Sequence, residues 1–333
     1  MILVAPDKFK GTFSAGEICR TVEERLKQSG VKKDIVSRPL SDGGEGVADG
    51  FMPGSKKISP GIYVTEDRVL AVSSEIIGFE AFAGSNIPLM QRSSIRLGEA
   101  VARVWDEIQP SEITVAVGGT ATSDGGAGFL QGLGAMFYDG EGCLIGTPLT
   151  PESLTRVETA DLELLKRYRL SAIIDVKATL CGNSELSALD FAEQKAIPGE
   201  LLDGLEQALT HFQKIVGGSS PWDGAGGGVG YALASVCRAK CVSGGVAAIE
   251  ALDVDWSQVE MVITGEGKVD SQTTRGGKLV DAICRKAASH GIPALVLYGA
   301  IEDDVSYPFM AQIETEWEPK VKTELLKASG SQI

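Results

Sequence analysis

The sequence predicts an α/β fold with largely parallel sheets, organised as two domains. Three observations lead there. Short apolar runs alternate with amphipathic stretches along most of the chain, the pattern of sheets covered by crossover helices. At 333 residues the chain exceeds what one hydrophobic core usually organises. Glycine, at 41 residues, clusters where strands end and helices begin, the edge at which open α/β sheets collect ligands.

Taken in order, Ile2–Ala5 reads as a short buried strand. Ser14, with Glu17 three residues on, makes a capping-box pattern for a helix to about Gln28. Asp34–Leu40 reads as a second strand, and Gly43–Met52 opens another helix. Residues 56–77, rich in β-branched and turn-forming residues, read as hairpin strands. Arg92–Ile108 has helical periodicity, with Ile95, Ala100, Val104 and Ile108 on roughly one side. Ile113–Val117 and Leu170–Ile174 are largely apolar runs, as expected of parallel strands covered on both faces. Ala225–Cys237 reads as a helix whose first turns are nearly all glycine and alanine. Val259–Thr264 and Ala294–Tyr298 read as two more strands, with a helix over Gly277–Ser289 between them. Lys320–Ile333 reads as a short charged helix with a frayed end.

Composition narrows the function classes. Net charge is −14 and no Lys/Arg run exceeds two residues, which disfavours nucleic acid and anionic membrane as partners. No apolar stretch approaches the roughly 20 residues that span a bilayer, and the opening lacks the basic flank of a signal peptide. The six cysteines are scattered without a CxxC pair, which suits a reducing compartment and disfavours zinc. Cytoplasm is the expected location. The expected partner is a small molecule, with a homodimer left open.

Four loops share one layout: an apolar strand, then glycine with an acid or hydroxyl, then a helix. They are Ala5–Thr12, Ser41–Gly46, Gly118–Gly128 and Thr264–Thr273. A fifth glycine-rich stretch, Asp223–Gly230, lacks a clear strand before it and fits either a ligand loop or close backbone packing. Free N–H groups at such loops and helix starts suit phosphate oxygens. Hydroxyls of Thr120, Thr122 and Ser123 can donate to phosphate, and carboxylates at the same edge suit Mg²⁺. The competing role for Asp124, Glu266 and Asp270 is capping of the following helix. No G-x-G-x-x-G follows a strand and no G-x-x-x-x-G-K-[ST] occurs, so the common nucleotide loops are absent. With only two histidines, His211 and His290, both outside the glycine loops, a general base at these loops would be a carboxylate. Together these features suggest phosphoryl transfer to a hydroxyl.

Five segments carry a family resemblance: APDKFKGTFSA, PLSDGGEG, VGGTATSDGGAGFLQGLGAMF, DGAGGGVGYAL and ITGEGKVDSQTTRGGK. In this order they resemble the bacterial second class of glycerate kinases, and they cover most of the chain. The resemblance implies ATP with Mg²⁺ as cofactors and D-glycerate as acceptor, phosphorylated at the 2-hydroxyl. It implies a flavodoxin-like domain from residues 1–80 plus 245–333, with a second α/β domain, 81–244, inserted. The active site would lie in the cleft between them. By the same resemblance Asp175 is the base and Lys8 a catalytic and substrate-binding cation. Asp42 and Ser94 would bind substrate. Gly119, Thr120, Ser123, Asp124, Gly125 and Glu266 would bind nucleotide or phosphate, and Asp270 and Asp124 the metal. One segment departs from the pattern: Asp175-Val176-Lys177-Ala178-Thr179-Leu180 stands where the family carries Asp-Val-x-Asn-Pro-Leu. That departure keeps two alternatives in view, a kinase for another small sugar acid and a non-catalytic ligand-binding descendant.

Overall fold

The computed structural model describes residues 1–9, 12–41, 47–52, 54–174, 176–182, 186–195, 197–269, 279–301 and 310–312. The expected C-terminal helix lies outside them. In chain order the first elements are β1 (Ile2–Val4), α1 (Ala15–Gln28), β2 (Ile35–Ser37), α2 (Val47–Phe51), β3 (Lys56–Ser59), β4 (Ile62–Val64), β5 (Val69–Val72) and α3 (Ser73–Ile77). Then come α4 (Ile95–Ile108), β6 (Ile113–Val117), α5 (Ala127–Gly132), β7 (Met136–Tyr138), β8 (Thr159–Asp161), β9 (Leu170–Ile174), α6 (Ala188–Gln194) and α7 (Gly199–Val216). The rest are α8 (Val229–Tyr231), β10 (Lys240–Val242), α9 (Gly244–Ala251), β11 (Met261–Val269), α10 (Leu279–Ser289), β12 (Ala294–Ile301) and β13 (Met310–Gln312).

The chain divides into two compact units. One comprises residues 1–42, 49–51 and 244–333, the other 43–48 and 52–243. The first holds a five-stranded sheet in the order β13-β12-β11-β1-β2. Every pairing in it is parallel. Renumbered within the unit, the order is 2-1-3-4-5, the flavodoxin-like arrangement. Ile2, Val4, Ile263, Leu295 and Leu297 from the strands meet Ile18 and Cys19 of α1 in its core. The Ser14 capping box that starts α1 forms as expected.

The second unit holds a six-stranded sheet ordered β10-β9-β6-β5-β4-β3. Strands β5, β6, β9 and β10 are parallel, and β3–β4–β5 is an antiparallel meander. The hairpin strands of residues 56–72 therefore belong to this sheet, not to a first domain extending to residue 80. The reason is long-range: Val69–Val72 pair with Ile113–Ala116, burying β5 on both faces.

Two further expectations need adjustment. The buried stripe of α4 is Leu97, Ala100, Val101 and Val104, spaced i, i+3, i+4, i+7; Ile108 is exposed and Ile95 half-buried. Strand β11 runs through to Val269 rather than ending at Thr264, because its extension pairs residue by residue with β12 as far as Ile301. Gly265 is required there: a Cβ on it would lie 2.2 Å from the Leu297 carbonyl oxygen on β12.

Candidate functional site

The third glycine loop, residues 118–128, leaves the carboxyl end of β6. Its neighbour β9 ends at the same level, Val117 opposite Ile174. The two strands thus share one edge, the ligand-collecting edge of a parallel sheet. Only the start of the loop reaches solvent: Gly119 is exposed and Gly118 half-buried, while residues 120–128 are buried.

Each part of the loop is held by a different neighbour. The Ser73 hydroxyl donates to the Gly118 carbonyl at 3.0 Å and accepts from the Gly118 N–H at 3.1 Å. Gly119 turns the chain with φ +61°, and Thr120 forms a bridge to Gly78. Ala121 N–H donates to the Ile77 carbonyl at 2.8 Å. Further on, the Gly125 N–H donates to the Gly227 carbonyl at 3.0 Å.

Asp124 braces the centre. Its Oδ2 accepts from the Ser94 N–H at 2.7 Å, the Ser94 hydroxyl at 2.8 Å, the Gly128 N–H at 3.1 Å and the Ser93 hydroxyl at 3.4 Å. Its Oδ1 accepts from the Gly126 N–H at 3.2 Å. Ser94 in turn accepts from the Phe129 N–H at 2.8 Å. Burial pushes the Asp124 carboxyl above the ordinary carboxylate range, while the hydrogen bonds from Ser94, Gly128 and Gly126 pull the other way. Asp124 is 0% exposed, so it offers no open oxygen to a metal, and Ser94 offers its hydroxyl to Asp124. Both are joiners of α4 to the loop. The capping alternative weighed for Asp124 is what this geometry displays, since two of its donors are N–H groups at the start of α5.

The fifth glycine stretch resolves as close packing. Residues 225–228 form a tight turn in which Gly226 and Gly227 are left-handed, at φ 62° and 68°. The expected continuous helix over Ala225–Cys237 is accordingly broken into this turn, α8 and a wider π-type turn. A Cβ on Gly227 would sit 1.9 Å from the Thr122 carbonyl oxygen, so the two backbones touch there.

Sequence reasoning missed Lys195. It follows α6 directly and is 8% exposed. Its ammonium donates to the Thr122 carbonyl and lies 3.4 Å from the Thr120 hydroxyl. Burial lowers its pKa from 10.5 to about 8, with the Asp124 charge opposing that fall. The Thr122 and Ser123 hydroxyls, on the same loop, are buried without a hydrogen-bond partner among the described residues. No local signal marks Lys195 in the sequence, where a lysine at a helix end reads as a solvated residue that complements the dipole. Its partners lie 73 to 75 positions away.

The other expected residues fall as follows. Lys8, half-buried in the loop after β1, donates its N–H to Asp7 Oδ1 at 2.7 Å. Asp7 is tied by its own N–H to the Gly265 carbonyl of β11 at 2.8 Å. Glu266 is half-buried and sits on β11 opposite Tyr298, so it belongs to a strand and not to a loop. Asp42, Asp175 and Asp270 lie outside the described residues. Among the described residues no group of three or more His, Cys, Asp or Glu could hold a metal. In the substituted segment after Asp175, Ala178 is buried, and its carbonyl accepts from the Gly224 N–H at 2.8 Å. His211 hydrogen-bonds the Val157 carbonyl through Nε2 at 2.7 Å, a link within the second unit well separated in sequence from the loop. No helix among the described residues is long and apolar enough to cross a membrane.

A flavodoxin-like sheet and a second α/β unit carrying a buried glycine loop define a two-unit α/β protein. The sequence profile of the glycerate kinase family matches residues 2–318, and the chain belongs to that family. It is by that membership a kinase, a phosphotransferase. It is 27% identical to a glycerate kinase of Neisseria meningitidis serogroup B, over 92% of this chain and 88% of that one. It is 28% identical to the glycerate 2-kinase of Escherichia coli K12, over 91% and 86% respectively. A crystal structure of a glycerate kinase 2 from Salmonella typhimurium LT2 superposes with a TM-score of 0.74 at 24% identity, covering 98% of this chain and 93% of that one. At that identity the likeness carries the fold alone.

Proposed function

We propose that this chain transfers the terminal phosphoryl group of ATP to the 2-hydroxyl of D-glycerate. The observation that carries this reading is the buried loop after β6, with a cation and two spare hydroxyls, in a chain matched along residues 2–318 by a kinase family. The spare donors fit the oxygens of a phosphate better than they fit water-free packing. The E. coli relative's name, glycerate 2-kinase, supports both the acceptor and the position.

Roles follow residue by residue. Asp175, next in sequence after β9, takes the proton of the 2-hydroxyl as its oxygen bonds to phosphorus and the bond from phosphorus to ADP breaks. Lys8 and Asp42 bind the acid. Gly119, Thr120, Ser123 and Gly125 shape the phosphate loop, and Glu266 serves the nucleotide. Ser94 and Asp124 act by holding the loop's shape. Asp270 is the carboxylate for Mg²⁺. When bound, Mg²⁺ neutralises charge on the phosphates.

The test incubates the full chain with ATP, MgCl₂ and D-glycerate and assigns the product by ³¹P and ¹³C NMR. The expected product is 2-phosphoglycerate. Asp175→Asn should lower kcat by roughly 100- to 10,000-fold while the circular dichroism spectrum and unfolding midpoint stay unchanged. Undiminished turnover in that variant removes Asp175 as the base. Product at the 3-hydroxyl overturns the position, and no phosphorylated acid overturns the reading.

A further inference from the structure

We propose that Lys195 and the hydroxyls of Thr122 and Ser123 form the site that grips the oxygens of the transferred phosphoryl group. This deepens the kinase reading and rests on it for the identity of the phosphate donor. Thr122 and Ser123 stand in the glycine loop, whereas Lys195 lies in no sequence motif.

The first argument is charge. An ammonium taken out of water is strongly disfavoured unless an anion or a full set of acceptors meets it. Lys195 is 8% exposed, and among the described residues no carboxylate lies within ion-pair distance of it. Its acceptors there are one backbone carbonyl, of Thr122, and the Thr120 hydroxyl at a long 3.4 Å. An ammonium has three donors, so one remains for a ligand.

The second argument is independent of Lys195. Thr122 is 0% and Ser123 3% exposed, and neither hydroxyl oxygen has a hydrogen-bond partner among the described residues. Native proteins leave few buried polar groups unpaired, and those they leave tend to be functional. Here two occur in consecutive residues, on the same loop whose carbonyl receives the Lys195 ammonium. The loop has its exposed end at Gly119.

The third argument concerns which anion. A compact ammonium with separate hydroxyl donors offers hydrogen bonds in several directions, which matches the tetrahedral oxygens of a phosphoryl group. A planar carboxylate is served better by a guanidinium fork. Gly227 completes the enclosure. A Cβ at that position would lie 2.7 Å from the Lys195 nitrogen, so the close approach of Lys195 to the loop depends on a residue without a side chain.

A brace that merely ties α6 to the loop would also bury a lysine, and the hydroxyls separate the two cases. They make no internal hydrogen bond among the described residues, so removing them takes no such hydrogen bond from the ligand-free fold. The experiment measures calorimetric binding of sodium tripolyphosphate to the full chain, with D-glycerate in a parallel arm. Lys195→Met should weaken tripolyphosphate binding about 10- to 100-fold. Thr122→Val and Ser123→Ala should each weaken it about 3- to 10-fold, and D-glycerate affinity should hold. Tripolyphosphate affinity within twofold of wild type in the two hydroxyl variants overturns the proposal, as does a loss confined to D-glycerate. If Lys195→Met does not fold, the hydroxyl variants decide alone. Glycerate phosphorylation by the wild type, with unchanged tripolyphosphate affinity in the variants, removes this site and leaves the kinase reading. Lys195-dependent tripolyphosphate binding without any glycerate phosphorylation does the reverse.

Discussion

Replacing Asp124 with alanine tests the central feature of the second unit, a carboxylate that joins α4 to the loop after β6. The deletion strips the acceptor from three backbone N–H groups, those of Ser94, Gly126 and Gly128, and from the Ser94 hydroxyl. A buried donor left without an acceptor costs about 1–3 kcal/mol. The hydroxyl can turn and some donors can relax, so a net loss of about 3–5 kcal/mol is expected. Against a typical total of about 5–15 kcal/mol that is a severe lesion. Asp124→Asn keeps the shape and one acceptor but presents an NH₂ to donors, so it should lose less, about 1–2 kcal/mol. Because a two-unit chain need not unfold in one step, amide hydrogen exchange is the suitable assay. Peptides spanning residues 94 and 126–128 should exchange about 100- to 4,000-fold faster in the alanine variant, at about 1.4 kcal/mol per tenfold. Exchange within threefold of wild type there, with alanine no worse than asparagine, would refute the brace.

Two further outcomes follow from the same region. The lowered pKa of Lys195, from 10.5 to about 8, means that between those values the unfolded chain binds the proton that the folded chain has released. Stability relative to Lys195→Met should therefore rise as pH climbs from about 8 to about 10.5, by up to about 3 kcal/mol, measured by urea unfolding across that range. A flat difference would show that the ammonium is not held out of water. Gly227→Ala should destabilise the second unit by about 3 kcal/mol or more, since φ is 68° and the new Cβ would meet the Thr122 carbonyl oxygen at 1.9 Å. A thermal midpoint unchanged by this substitution would contradict the backbone contact.

Local pattern decided much of the architecture. The largely apolar runs Ile113–Val117 and Leu170–Ile174 are strands β6 and β9 with those bounds, because a run largely buried on both faces needs no partner information to be recognised. The capping box at Ser14 is likewise a contact within four residues. The glycine loops and their family likeness were legible because glycine is demanded by backbone geometry that is local to the turn. What the sequence left open was settled by pairings across long separations. Residues 56–72 joined the second sheet because β5 found β6 some 44 positions on. Asp124 became a brace because Ser94 lies 30 positions before it. Lys195 became a buried cation because the chain between it and Thr122 brings the two together. Periodicity and turn chemistry encode which way a residue faces within its own element. Which groups are taken out of water together, and hence which charges and hydroxyls are left for a ligand, is set only when the elements pack.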